Sequence, residues 1–203
     1  NKYILEKFKT VKKHIKITYY PYPVNVKYSD TIAIKNNKKY DILYFGNGHS
    51  DVYPLRKRVY NILQSSKLTK FNIKIIKFSG YIYDKSKSYI IGDELINLIK
   101  ESKYVICTAS KYNVLLRKYI EVNYSGTMII GDNSLNIVDP SSIVHIDNKM
   151  SDEMLLYKMT YAIDKYDTIN DIKPIADGML TYENFYNDII TGGFVGKYNS
   201  LVV

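Results

Sequence analysis

With one cysteine, no tryptophan, three histidines and five prolines in 203 residues, several chemistries lack the material they need. Cys107 alone can build neither a disulfide framework nor a paired-cysteine zinc site, which fits a reducing compartment and predicts a cytoplasmic location. It ends the apolar run Tyr104-Val105-Ile106-Cys107 and reads as a small buried strand residue rather than a reactive thiol. His14, His49 and His145 lack ligand spacing, no H-E-x-x-H occurs, and no metal is expected. No Walker P-loop, G-x-S-x-G elbow or Asp-x-Asp motif is present. No apolar run approaches the ~20 residues that span a bilayer, and no signal-peptide pattern opens the chain.

What the chain has in abundance is Lys, Asn, Ile and Tyr, with 22 tyrosines. These residues share A/T-rich codons, so the bias is read as genomic before it is read as chemical. The net charge of +9 resembles a nucleic-acid signature until it is located. Residues 1–40 hold ten Lys against Glu6 and Asp30, while the remainder holds 19 basic and 18 acidic residues. The charge therefore sits in an N-terminal arm, KFKTVKKHIK, and not across a folded face, so nucleic acid is disfavoured. Such an arm could equally face another domain or an anionic membrane surface. The chain opens at Asn1, and the expectation is a piece of a longer protein with a further domain upstream.

YYPYPVNVKYSD (19–30) reads as an extended connector, giving a basic arm and linker over 1–39, a folded domain over 40–190 and a tail over 191–203. Within the domain, short apolar runs alternate with helical patterns. Strands are expected in 40–46, 71–78, 104–108, 127–132 and 142–147. Helices are expected over 52–66, 92–103, 113–124, 152–166 and 182–190, the first with Asp51 as N-cap and Pro54 in its first turn. This alternation predicts an α/β, Rossmann-like parallel sheet with helices on both faces. Such sheets bind ligands where strands end and helices begin, here 46–50, 80–83, 108–113 and 131–134. His49 falls at one of these places, whereas His145 reads as structural.

GNGHSD (46–51) gives G-x-G between strand and helix, but Asp51 stands where a dinucleotide fingerprint has its third glycine, so a tight turn explains it as well. Arg56, Lys57 and Arg58 follow within two turns and read as a solvated helix face or as cations for a diphosphate. In RKYIEVNYSG (117–126), Glu121 lies four residues after Arg117 and three after Lys118. An exposed helical ion pair of this kind is worth only ~0.3–0.5 kcal/mol. Locally, a surface salt bridge is the simpler reading, with Leu115, Tyr119 and Val122 on the buried side.

A longer pattern points elsewhere. Phe78-Ser79-Gly80 precedes Tyr81-Ile82, a helix runs from Asp93-Glu94-Leu95 to Ser102-Lys103, and a strand ends in Thr108 to Ser110. A helix then carries Glu121-Val122-Asn123-Tyr124-Ser125-Gly126 into an apolar strand. This order, over roughly residues 20–190, resembles the nucleotide-sugar-binding half of GT-B glycosyltransferases. With YPLRKR upstream and YYPYPVN at the entry, it is most similar to family-one-like members related to bacterial spore-maturation proteins.

The resemblance implies a metal-independent transferase that takes a sugar from a nucleoside-diphosphate donor, needs no cofactor, and acts on a glycan, protein or lipid left unspecified. Glu121 would accept hydrogen bonds from the two ribose hydroxyls. Arg56 or Arg58, with Lys118, would offset the diphosphate charge. Gly46 and Gly48 would let backbone approach the phosphates or acceptor, and Tyr81 and Ile82 would flank the base. Eight positions before Glu121, where many retaining members carry a second Glu, stands Asn113, so donor orientation and stereochemical outcome stay open. The acceptor side of such enzymes comes largely from the first domain, so weak or no transfer is expected of this chain alone. A non-catalytic nucleotide- or partner-binding module of the same fold is the alternative.

Overall fold

The computed structural model describes residues 38–48, 51–76, 89–112, 116–132 and 140–169. The basic arm, His49, Tyr81, Ile82, Asn113 and the helix expected over 182–190 lie outside them. All described residues belong to one of the chain's two compact units, Lys27–Asp177.

The described residues of this unit form five strands: β1 (Tyr40–Phe45), β2 (Ile73–Ile76), β3 (Ser102–Cys107), β4 (Met128–Gly131) and β5 (Ile143–His145). Four helices accompany them: α1 (Pro54–Leu63), α2 (Gly92–Lys100), α3 (Arg117–Tyr124) and α4 (Asp152–Lys165). The strands form one sheet in the order β2-β1-β3-β4-β5, every pair parallel. This is the Rossmann-like α/β class that the alternation predicts.

Period-two alternation divides the strand residues between two covered faces. On one, Ile42, Tyr44, Tyr104, Ile106, Met128 and Ile130 pack with Leu55, Val59, Ile62 and Leu63 of α1 and with Leu155, Met159, Ala162 and Ile163 of α4. On the other, Leu43, Val105 and Ile129 are buried, as are Ile96 and Ile99 of α2 and Ile120 and Val122 of α3. The Thr127 hydroxyl donates to the Ile99 carbonyl at 3.0 Å and ties these two helices' surroundings together. Each large side chain buried in this way stabilises by roughly 1.5–3 kcal/mol, against roughly 0.2–1 for an exposed ion pair. The two apolar faces therefore dominate the fold's stability.

Most element ends differ from expectation by a few residues, and three of the differences have a local reason. Tyr53, not Asp51, is the N-cap of α1, with Pro54 at the first helical position, where its missing N–H is no loss. Asp51 instead pairs with Lys57 at 3.3 Å on the surface. The helix expected to reach residue 103 ends at Lys100, because Ser102 already pairs with Tyr40 in the sheet and its hydroxyl donates back to the Leu98 carbonyl at 2.6 Å. Finally, α3 starts only at Arg117, after an extended Leu116.

Gly131, at the end of β4, is a glycine because of close approach. It faces Cys107 across the ladder, and a Cβ there would overlap the Cys107 carbonyl oxygen.

Candidate functional site

In the strand order, the chain proceeds outward from β1 to β2 and then crosses back to β3 on the other side of β1. Connections leave the carboxyl ends of β1 and β3 in opposite directions, which opens a crevice between them, the usual ligand position of such sheets. The residues at this edge are Phe45, which ends β1, with Gly46 after it, and Thr108-Ala109-Ser110 after β3.

Two cations meet there. Arg56, in the first turn and a half of α1, shares a helical face with Val59 and Leu63 and is only 5% exposed. Its Nε donates to Thr108 Oγ1 at 3.1 Å and its Nη2 to the Thr108 carbonyl at 2.8 Å. The guanidinium stacks 4.0 Å from the Tyr53 ring centre, and its Nη1 would be 3.2 Å from a Cβ at Gly46. Gly46 has φ +101°, a conformation that side chains other than glycine's rarely tolerate, so the turn both needs glycine and leaves room for the guanidinium.

Lys118 of α3 is 9% exposed, and its Nζ donates to the Phe45 carbonyl at 2.8 Å. The ammonium lies 3.7 Å from the Phe45 ring centre and 6.0 Å from that of Tyr44. The two cations thus straddle one peptide unit, Phe45-Gly46. Burial, with help from the Arg56 charge, brings the Lys118 pKa down to about 7. Neither cation has a carboxylate partner among the described residues, and both retain unused donors.

Glu121, one turn along α3 from Lys118, is 7% exposed, so the reading as an ordinary surface charge is corrected. Arg117 Nε donates to its Oε1, while Lys118 does not reach it and turns to Phe45 instead. The carboxylate is thereby oriented through one oxygen, and Oε2 has no partner among the described residues.

Two neighbours hold this edge in shape. Asp132, just after β4, accepts from the Ala109 amide at 2.7 Å and from the Tyr119 hydroxyl with the same Oδ1. The Lys111 amide donates to the Val52 carbonyl at 2.8 Å and joins the loops that follow β3 and β1. Burial and the neighbouring Asp132 charge push the Tyr119 hydroxyl well above the ordinary tyrosine range, so it stays a proton donor.

The sequence-based candidates therefore separate. Gly46, Arg56, Lys118 and Glu121 are brought together. Arg58 is not: its guanidinium is bound to Asp152 Oδ1 at 2.6 and 2.9 Å and to the Asn148 and Met150 carbonyls at 2.9 and 2.6 Å, at the start of α4. Gly48 is buried, and a side chain there would meet the Tyr44 hydroxyl and the Tyr60 ring, so packing accounts for it. Tyr81, Ile82 and Asn113 lie outside the described residues. Thr108 and Asp132 fall within the expected ligand positions 108–113 and 131–134 without being singled out by the sequence, and Tyr119 reads only as a buried helix residue. Their only sequence signal was position, a polar residue directly after an apolar strand for two of them. His145 is half exposed and sits 3.5 Å from Asp147, away from these groups in the register. Cys107 is buried, and desolvation pushes its thiol up to about 12. Among the described residues, no three His, Cys, Asp or Glu side chains converge as a metal site needs, and no helix is long and apolar enough to cross a membrane.

Chemically, the edge offers buried positive charge with free N–H donors, next to an oriented carboxylate. That combination suits an anionic group attached to a hydroxyl-bearing one. No protein-family model, curated protein or solved structure matches the chain.

Proposed function

We propose that the carboxyl edge between β1 and β3 binds the diphosphate of a nucleoside-diphosphate sugar, and that the chain is the donor-binding half of a GT-B glycosyltransferase. One observation carries the reading: Arg56 and Lys118 are buried near each other with no carboxylate partner among the described residues. Burying an unpaired cation is costly, and two together are costlier, so an anion between them is the natural complement. Arg56 Nη1 and the remaining Lys118 protons would donate to phosphate oxygens and stabilise charge growing on the leaving diphosphate. Glu121 would accept from the ribose hydroxyls through Oε2 and the second lone pair of Oε1. Asn113, where that family often carries a second Glu, favours a second reading, a nucleotide-binding module without transfer.

Calorimetric titration of UDP, GDP, ADP and dTDP into the chain, beside Glu121→Ala, tests this. One diphosphate should bind selectively and lose on the order of tenfold or more in the variant, the usual effect of removing a charged hydrogen-bond acceptor. Equal binding by the variant would return Glu121 to a purely structural ion pair. Selective binding without sugar transfer by the complete protein would select the second reading.

A further inference from the structure

We infer that filling this edge with a diphosphate drives uptake of a proton by Lys118, whose side chain is buried against the Phe45 carbonyl and ring. The inference rests on the diphosphate reading above and adds to it a pH dependence built into the site.

The surroundings of Nζ carry the argument. From β1 it meets the Phe45 carbonyl, the Phe45 ring and the Tyr44 ring. Cys107 of β3, Arg56 of α1 and Glu121 of its own helix lie near enough to act on its charge. The Cys107 thiol and the Tyr44 hydroxyl are both pushed up to about 12 by burial, so neither supplies a counter-charge near neutral pH. Glu121 is engaged by Arg117. The ammonium is therefore stripped of water, given one carbonyl and ring faces in exchange, and repelled by the Arg56 guanidinium. Desolvation is the largest cause of the fall in its pKa to about 7; Cys107 and Glu121 oppose it, and Arg56 acts in the same direction.

A diphosphate lying between the two cations reverses this balance. Two negative charges at hydrogen-bond distance favour the ammonium over the amine, so the pKa of Lys118 rises on binding and a solvent proton moves to the Nζ lone pair. No covalent bond is made or broken. Arg56 stays charged throughout and cannot take part. Affinity is then greatest at and below the free-state pKa and falls as pH rises above it.

The test is calorimetry of the whole chain with UDP-glucose, GDP-mannose and ADP-glucose in two buffers of different ionisation enthalpy. These diphosphate diesters keep constant charge near neutral pH, so proton uptake belongs to the protein. Roughly half a proton should be taken up at pH 7, rising toward one at pH 8, with affinity about tenfold weaker at pH 8 than at pH 6. Lys118→Arg, charged at every pH tested, should bind with a flat profile and no uptake. If that variant does not fold, NMR of labelled lysine side chains in the native chain replaces it. One lysine should titrate near neutrality and move upward with the probe. Binding without proton uptake and with pH-independent affinity overturns the coupling while leaving the diphosphate reading intact. Absence of binding by every probe at pH 6 overturns both.

Discussion

Lys118 is removed from water with no carboxylate among the described residues to receive it, so the fold pays for that charge whenever the side chain carries it. Its pKa in the folded chain, about 7, lies below the ordinary lysine value of 10.5. Between those two values the unfolded chain binds more protons, so this residue makes the domain more stable as pH rises through that window. Below it, the full penalty is present. Lys118→Met should therefore raise stability at pH 6 by roughly 1–3 kcal/mol, less than the shift alone implies because the Phe45 carbonyl loses its donor. Urea unfolding at pH 6 and pH 9.5 checks this, and the gain should shrink at the higher pH. A Met variant less stable than the native chain at pH 6 would show that the ammonium is better accommodated than its surroundings indicate. Glu121 illustrates the opposite case. Its helical pairing with Arg117 is a minor surface interaction by spacing alone. Burial places it where the dielectric is lower and an unpaired carboxylate would be costly.

At the scale of elements, α1 shows how one helix distributes three consecutive cations among three tasks. Successive residues turn by about 100°, so Arg56, Lys57 and Arg58 cannot face the same way. Arg56 points under the β1 and β3 ends, Lys57 meets Asp51 in solvent, and Arg58 grips the start of α4. That start is also secured by Ser151, whose hydroxyl oxygen accepts from the Met154 amide at 3.2 Å, and by Asp152 and Glu153 in the first turn. Arg58 thus joins two helices that cover the same face of the sheet. Arg58→Ala should lower stability by roughly 1–2 kcal/mol through the lost bonds to carbonyls and Asp152. Diphosphate affinity should stay within about twofold. A thermal melt and a titration separate the two effects, and a variant of native stability that no longer binds would transfer the anion-binding role from Arg56 to Arg58.

Across the unit, the sheet is unevenly protected. The residues of β4 are all buried and those of β3 nearly so, whereas β2 is half-buried throughout and β5 ends in exposed His145. Opening free energies follow such burial, so amide hydrogen exchange should be slowest in the centre of β1, β3 and β4 and faster in β2 and β5. Equal protection in β2 would mean that the sheet's margin is covered by more than the described residues provide. Because the candidate site sits at the ends of the slow strands β1 and β3, its cations are held by the most stable part of the unit.

The alternation of apolar runs with helical patterns was enough to establish the α/β class, the parallel sheet and the approximate place of nine elements. Period-two and helical spacings report directly on which side chains avoid water. Cys107 was likewise legible as buried, because its neighbours in sequence are its neighbours in the strand. Spacing could also place Glu121 within reach of Arg117. It could not show that the carboxylate is buried, that Lys118 turns away from it to the Phe45 carbonyl, or that Arg56 and not Arg58 meets Thr108. The Arg56–Thr108 and Lys118–Phe45 contacts join residues 52 and 73 positions apart, and they depend on strand order and helix rotation. Local sequence determined which segments become strands and helices. Only the packing of those segments, through the crossing from β2 back to β3, decided which charges lose their water together, and that shared desolvation is what makes the edge a candidate site.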